Sequence, residues 1–172
     1  MNSQKMVECL TLYGTKKMVP ESKLVFRPAV YGAIVDSDKI LLMKTKSTGK
    51  HWFPGGGLNV GEKLEDALIR EVTEETGIRI EISSLLDIDD VLFYYEPLDE
   101  AYHNMSFFYM CTPFSTVLIK DEDMDPSEES EKPRWIKIDS IKDYDMQVGT
   151  FDVLQKVIEA GNQNPIIPKS LI

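Results

Sequence analysis

Residues 52–57 read Trp-Phe-Pro-Gly-Gly-Gly, and shortly afterwards residues 62–76 contain neither glycine nor proline. The first segment disfavours regular structure and lets backbone approach closely. The second is built mostly of Glu, Leu, Ala and Arg, with acids in its first turn and Gly77 placed to stop it, so a helix over 62–76 is predicted. On a wheel of about 100° per residue with Glu71 at zero, Leu64, Leu68, Val72 and Ile69 fall near 20°, 60°, 100° and 160° and define the buried stripe. Glu75, Glu71 and Glu74 fall near 40°, 0° and 300°. Glu75 therefore lies inside the apolar sector, Glu71 at its edge and Glu74 just beyond.

An ordinary surface helix sets its acids opposite the stripe and pairs them with Lys or Arg four residues on. Four residues after Glu71 and Glu74 stand Glu75 and Ile78, which offer no cation. Carboxylates crowded together and drawn out of water raise one another's pKa, so a positive group is expected among them. A hard divalent cation, Mg²⁺ or Mn²⁺, suits an all-carboxylate donor set and keeps waters for a phosphorylated substrate. The plainer reading is a solvated helix end balanced by Arg70 and Lys63.

The chain carries a net charge of −10 over 172 residues, and the charge is local. Residues 62–75 hold −4 and residues 121–131 hold −7, which leaves the remainder at +1. Neither segment resembles a basic phosphate-binding surface, so duplex nucleic acid and membranes are excluded as main partners. Cys9 and Cys111 form no disulfide framework or metal cluster by spacing. With no apolar run of signal-peptide or membrane-spanning length, the expectation is a soluble cytoplasmic protein.

Along the chain, apolar runs alternate with turn signals. Strands are expected over 28–35, 39–43, 78–82, 90–95, 105–112 and 134–138, with Asp36-Ser37-Asp38 as a hairpin turn. A second helix is expected over 151–160, closed by Gly161. No repeat or linker divides the chain, whose length suits one domain spanning 1–172, with an extension over 1–24 and an irregular tail over 162–172. Strands, helix, strands, helix imply a mixed α/β (α+β) domain with helices packed on a mixed sheet.

From Gly56 the sequence runs GGLNVGEKLEDALIREVTEETGI. Gly56, Glu62, Arg70-Glu71-Val72, Glu74-Glu75 and Gly77-Ile78 stand at the fixed positions of G-x5-E-x7-R-E-U-x-E-E-x-G-U, where U is aliphatic. This resembles the Nudix box at every constrained position. Trp52-Phe53-Pro54-Gly55-Gly56 is similar to the W-x-P-G-G approach of that family, and Trp135-Ile136 with Asp139 to its later W-(V/I)-x-x-(D/E) element.

The resemblance implies an α/β/α sandwich with a mixed sheet between helices, and metal-dependent hydrolysis of a diphosphate bond in a nucleoside diphosphate linked to another moiety. Glu71, Glu74 and Glu75 match the family's glutamate ligands for Mg²⁺ or Mn²⁺, joined by the backbone carbonyl of Gly55 or Gly56, while Glu62 and Arg70 match positions that orient the cluster. The general base in this family has no fixed place. Glu71 is one candidate, and Glu128, Glu129 and Glu131 in the second acidic segment are others.

On the substrate side, Arg27 and Lys44, with Lys46, Lys50 and His51, are candidates for holding phosphate, although lysines that blunt an edge strand fit the same pattern. Tyr94, between Phe93 and Tyr95, offers a face for stacking a base. The family's NADH-type S-Q-P-W-P-F signature is absent, and Pro97 lies later than the proline of its ADP-ribose enzymes. An intact box argues against a non-catalytic nucleotide sensor on the same fold, and Cys111 lacks the motif of the family's isopentenyl diphosphate isomerases. The expected partner is a small nucleotide derivative, and the unassigned N-terminal segment is compatible with a homodimer contact.

Overall fold

The computed structural model describes residues 4–120 and 130–163. Among these, the strands are β1 (Met6–Thr11), β2 (Lys16–Pro20), β3 (Leu24–Asp36), β4 (Lys39–Thr45), β5 (His51–Trp52), β6 (Gly55–Gly57), β7 (Ile80–Tyr95), β8 (Glu100–Pro113) and β9 (Ser130–Lys137). The helices are α1 (Leu64–Thr76) and α2 (Phe151–Gln163). The strand order is β2-β1-β7-β8-β3-β4-β5, with β6 also pairing with β3 and β9 with β4. Parallel pairs β1/β7 and β3/β8 lie among antiparallel ones, which makes the sheet mixed as expected.

The period-2 alternation of β3 feeds two cores. Val30 and Ile34 face α1 and pack with Ala67, Leu68 and Val72, while Ala29, Tyr31, Ala33 and Val35 face the side of α2 and join Phe53, Phe108, Val153 and Leu154. At about 1.5–3 kcal/mol for each large apolar side chain buried, these two layers fix α1 and the following loop against β3.

Several boundaries differ from the sequence reading. Helix α1 begins at Leu64 rather than Glu62, because the Glu62 carboxylate accepts the Asn59 backbone N–H at 3.0 Å and holds a turn ahead of the helix. Its end is as read: Gly77 adopts φ 73° and donates to the Thr73 carbonyl. Ile69, placed in the buried stripe by the wheel, is 43% exposed. Helix α2 runs through Gly161 to Gln163. The strands expected over 78–82 and 90–95 are one sixteen-residue strand, β7, kept in register with β8 by two local shifts.

The structure gives a form to the N-terminal segment that the sequence left unassigned. The segment read as an extension forms the β1–β2 hairpin, and β1 adds to the sheet in parallel with β7 through Leu10↔Phe93 and Thr11↔Tyr94. Cys9 and Val19 are thereby buried against Tyr94 and Ala101. Gln147 secures the hairpin from the other end of the chain: its amide donates to the Leu12 carbonyl and accepts from Thr48 Oγ1. No helix among the described residues is long and apolar enough to cross a membrane.

Candidate active site

Strand β6 lies antiparallel to β3, with Tyr31 opposite Gly55, Val30 opposite Gly56 and Ala29 opposite Gly57. Helix α1 crosses above it and brings its glutamates down onto glycine backbone. Glu75 Oε2 accepts the Gly55 N–H at 2.8 Å. The Glu71 carboxylate sits so close to Gly56 that a Cβ there would lie 2.7–2.8 Å from its atoms. Gly55 itself has φ 140°, and a Cβ on it would meet the Val30 carbonyl oxygen at 2.1 Å.

Arg70 is the positive group among the acids. Its Nε and Nη2 fork onto Glu62 at 2.8 and 2.9 Å, its Nη1 donates to Glu71 at 2.7 Å and to Glu74 at 3.2 Å, and its Nη2 reaches the Gly57 carbonyl at 3.3 Å. Glu62 and Glu71 are largely buried while Glu74 is 60% exposed, so the network runs from the covered face of α1 to its solvent edge. Fork geometry of this kind is what a guanidinium, and not an ammonium, supplies.

The hydrogen bond from Arg70, followed by that from the Asn59 N–H, pulls the Glu62 carboxyl from its ordinary 4.5 down to about 2. Reciprocally, Glu62 raises the Arg70 pKa. The stabilisation from ionised Glu62 is therefore complete above pH 4.5 and is lost as pH falls through 4.5 towards 2, where protonation favours the unfolded chain. Glu62→Gln should flatten that part of the acid limb in thermal melts recorded against pH. An acid limb identical to that of the parent chain would contradict this role.

Beside the glutamates opens a cavity of about 310 Å³, within the range of small-molecule sites. Aromatic side chains dominate its walls, with Tyr31 stacked on Phe108 and Trp52 edge-on to Tyr31, both at 5.3 Å between ring centroids. Arg27 joins the two halves of the site. It lines the cavity, reaches Asn104 Oδ1 at 3.4 Å, and would stand 3.3 Å from a Cβ on Gly57. Burial pushes the Tyr31 phenol up in pKa and Arg27 opposes this, while Glu75 and Glu71 are near enough to add to the rise.

Of the residues singled out in the sequence, Glu62, Arg70, Glu71, Glu74, Glu75, Gly55 and Gly56 come together around β6, and Arg27 lies at the cavity boundary. Lys44 sits on β4 opposite His51 and does not line the cavity. Tyr94 points the other way from the cavity. It is buried in the hairpin core, its hydroxyl donates to Asp99, and Lys17 Nζ lies 3.5 Å from its ring centroid. The neighbours on either side, Phe93 and Tyr95, face the cavity, as alternation along a strand requires. Strand β9 carries Glu131 beside Lys44 in register, but the Glu131 side chain, like Glu128 and Glu129, lies outside the described residues.

Several lining residues were missed by the sequence reading. Leu10, Asp89, Asn104, Ser106 and Thr150 come from four separate stretches, and only the i, i+2 pattern of residues 89, 91, 93 and 95 was a legible signal for any of them. Cys111 is no nucleophile here: it is 2% exposed, and burial pushes its thiol up to about 12.

The description of the NUDIX domain matches residues 25–157. The chain belongs to the Nudix family. Among curated relatives, it is 38% identical over 78 residues to an ADP-ribose pyrophosphatase of Methanocaldococcus jannaschii, an alignment spanning 42% of this chain and 46% of that protein. Across the first curated relatives it matches, the chain spans less than half of their length. Among solved structures, a MutT Nudix hydrolase from Burkholderia pseudomallei superposes with a TM-score of 0.62 at 27% identity, covering 77% of this chain and 98% of that one. A Nudix hydrolase from Nitrosomonas europaea gives a TM-score of 0.65 over 95% of this chain and 90% of its own, at 17% identity, and supports the fold alone. The box read from Gly56 to Ile78 is thus the loop and helix of a Nudix fold, and the β1–β2 hairpin stands outside the residues the family description covers.

Proposed function

We propose that this chain hydrolyses a diphosphate bond in a nucleoside diphosphate derivative, by attack of water on phosphorus. The observation that carries the reading is Arg27, which lines an aromatic cavity suited to a nucleoside and reaches Gly57 of the glycine strand on which the α1 carboxylates are set. A diphosphate bridging those regions has its negative charge facing Arg27.

Among the described residues, no three carboxylate, imidazole or thiol groups converge to ligating distance as they stand. The donor set nonetheless fits Mg²⁺ or Mn²⁺: Glu71, Glu74 and Glu75 are all hard oxygen donors on one helical face, and the missing Cβ of Gly56 leaves room for the Glu71 carboxylate against glycine backbone. Glu71, Glu74 and Glu75 would hold the ion together with the carbonyl of Gly55 or Gly56. When bound, the ion supplies charge neutralisation on the diphosphate and acidifies the attacking water. Arg70 keeps Glu71 and Glu74 poised by sharing one nitrogen between them, and its fork on Glu62 holds that nitrogen in place. Glu71, withdrawn from solvent beside Gly56, is the candidate within the described residues for accepting the water proton.

The test is a panel of ADP-ribose, nucleotide sugars, dinucleoside polyphosphates and nucleoside triphosphates, each with Mg²⁺ and with Mn²⁺ and with products identified. Cleavage between phosphorus atoms that stops on chelation is the expected result. Tight nucleotide binding with no bond cleaved in either metal would instead identify a non-catalytic sensor.

A further inference from the structure

The cavity floor is made of alternate residues on neighbouring strands, and its polar groups fall into a short strip. Arg27 of β3 pairs in register with Asn104 of β8, which faces Val91 of β7; one step along, Ala29 pairs with Ser106, which faces Asp89. The Asn104 amide is engaged on both sides, its oxygen accepting from Arg27 and its nitrogen donating to Ser106 Oγ at 3.0 Å. Asp89 is the one carboxylate among the described residues that line the cavity. Its neighbours are committed elsewhere: Asp87 to Lys156 of α2 at 2.6 Å, and Asp90 to His103 at 2.7 Å. Asp89 itself makes no ion pair among the described residues, and it stands at the foot of a row of cavity-facing side chains that continues through Val91 to Phe93 and Tyr95.

We infer that Asp89 selects the nucleobase, accepting two adjacent N–H donors from a guanine-type edge. An ionised carboxylate only accepts hydrogen bonds, and it does so with two oxygens side by side. Guanine presents N1–H and the exocyclic N2–H₂ next to each other. Adenine and cytosine alternate donor with acceptor on the corresponding edge, and uracil sets one N–H between two carbonyls, so each places an acceptor against a carboxylate oxygen. The aromatic walls supply stacking that every base enjoys, which leaves discrimination to the polar strip. Burial, followed by repulsion from Asp87, disfavours the charged form of Asp89, and the Asp90 backbone N–H offsets this only in part, leaving a deficit that two further N–H donors would reduce.

The inference rests on the nucleotide reading above, and the experiment separates the two. GDP-glucose, ADP-glucose and UDP-glucose share one sugar and one scissile bond, and kcat/KM is measured for each with the parent chain and with Asp89→Asn. In parallel, GMP and AMP binding is followed by tryptophan fluorescence, Trp52 being a cavity wall. The expected result is a preference of the parent chain for GDP-glucose that falls by about 10- to 100-fold in Asp89→Asn, with ADP-glucose turnover unchanged or improved, the range a bidentate base contact commands. An equal loss for all three substrates would mark a contact to the ribose, and no change would mark none; either overturns base selection while leaving the hydrolase reading in place. Absence of cleavage by the parent chain in Mg²⁺ and Mn²⁺ sinks the hydrolase reading. In that case a GMP preference abolished by Asp89→Asn still supports selection, and equal binding of GMP and AMP overturns it.

Discussion

Gly55→Ala should destabilise the fold, whereas Gly56→Ala, one residue on, should leave the fold intact and remove activity. At Gly55 the new Cβ meets backbone, 2.1 Å from the Val30 carbonyl oxygen and 2.7 Å from Tyr31 Cα, at a φ of 140° that side chains resist. Neither obstacle moves without parting β6 from β3. Strain and overpacking together cost on the order of 3 kcal/mol, or roughly 6–12 °C of melting temperature for a chain of this size. At Gly56 the φ is ordinary, and what the Cβ meets at 2.7 Å is the far end of the flexible Glu71 side chain. That carboxylate swings away, the melting point changes by a few degrees at most, and any function that needs Glu71 against the β6 backbone is lost. Thermal melts and turnover measured side by side check the pair. Equal melting points for the two variants would show that β6 is not pinned to β3 as described.

The second large effect is Glu75→Gln. Glutamine keeps a side-chain oxygen to accept the Gly55 N–H, so the loop stays attached to α1, and removing one of several crowded negative charges leaves stability equal or slightly higher. As a ligand, the neutral amide is far poorer for a hard cation than a carboxylate. Turnover is expected to fall by at least about 100-fold, the scale of losing one principal electrostatic contact to a transition state. A melt in increasing Mg²⁺ adds an independent readout: the parent chain gains stability with the ion and the variant does not. Unfolding of Glu75→Gln, with a parent chain whose melting ignores Mg²⁺, would remove the basis for placing the ion on this helix.

Much of this site could be read from residues 52–78 alone, because glycine spacing and helical spacing are local. The wheel put Glu75 and Glu71 towards the covered side of α1, and both carboxylates do reach the β6 backbone. It failed at Ile69, since an angle says where a side chain points and not how far the covering sheet extends. Four residues after Glu71 and Glu74 stands no Lys or Arg, but Arg70 lies one residue before Glu71, four before Glu74 and eight beyond Glu62, and reaches all three.

Elsewhere the limits were non-local. Nothing within residues 6–20 says that β1 will lie parallel to a strand more than eighty residues away, and the hairpin carries exposed Met6, Tyr13 and Met18 that blur its alternation. Three aromatics in a row, Phe93, Tyr94 and Tyr95, do not reveal which face of the strand is the inner one. The partner strands decide it, burying Tyr94 with Cys9, Val19 and Ala101.

The β1–β2 hairpin bears on the time course of folding. Leu10 enters the cavity opposite Phe93, and the turn that follows is tied through Leu12 to Gln147, next to the cavity-lining residues Val148, Gly149 and Thr150. Closing contacts between such distant parts of the chain costs loop entropy before it yields burial, which makes them slow. The glutamate-bearing helix and its glycine strand, close in sequence, can assemble early. The aromatic cavity is complete only when residues 10–12 have met residues 147–150, so a chain caught midway in folding would hold the charged half of the candidate site before the cavity beside it had closed.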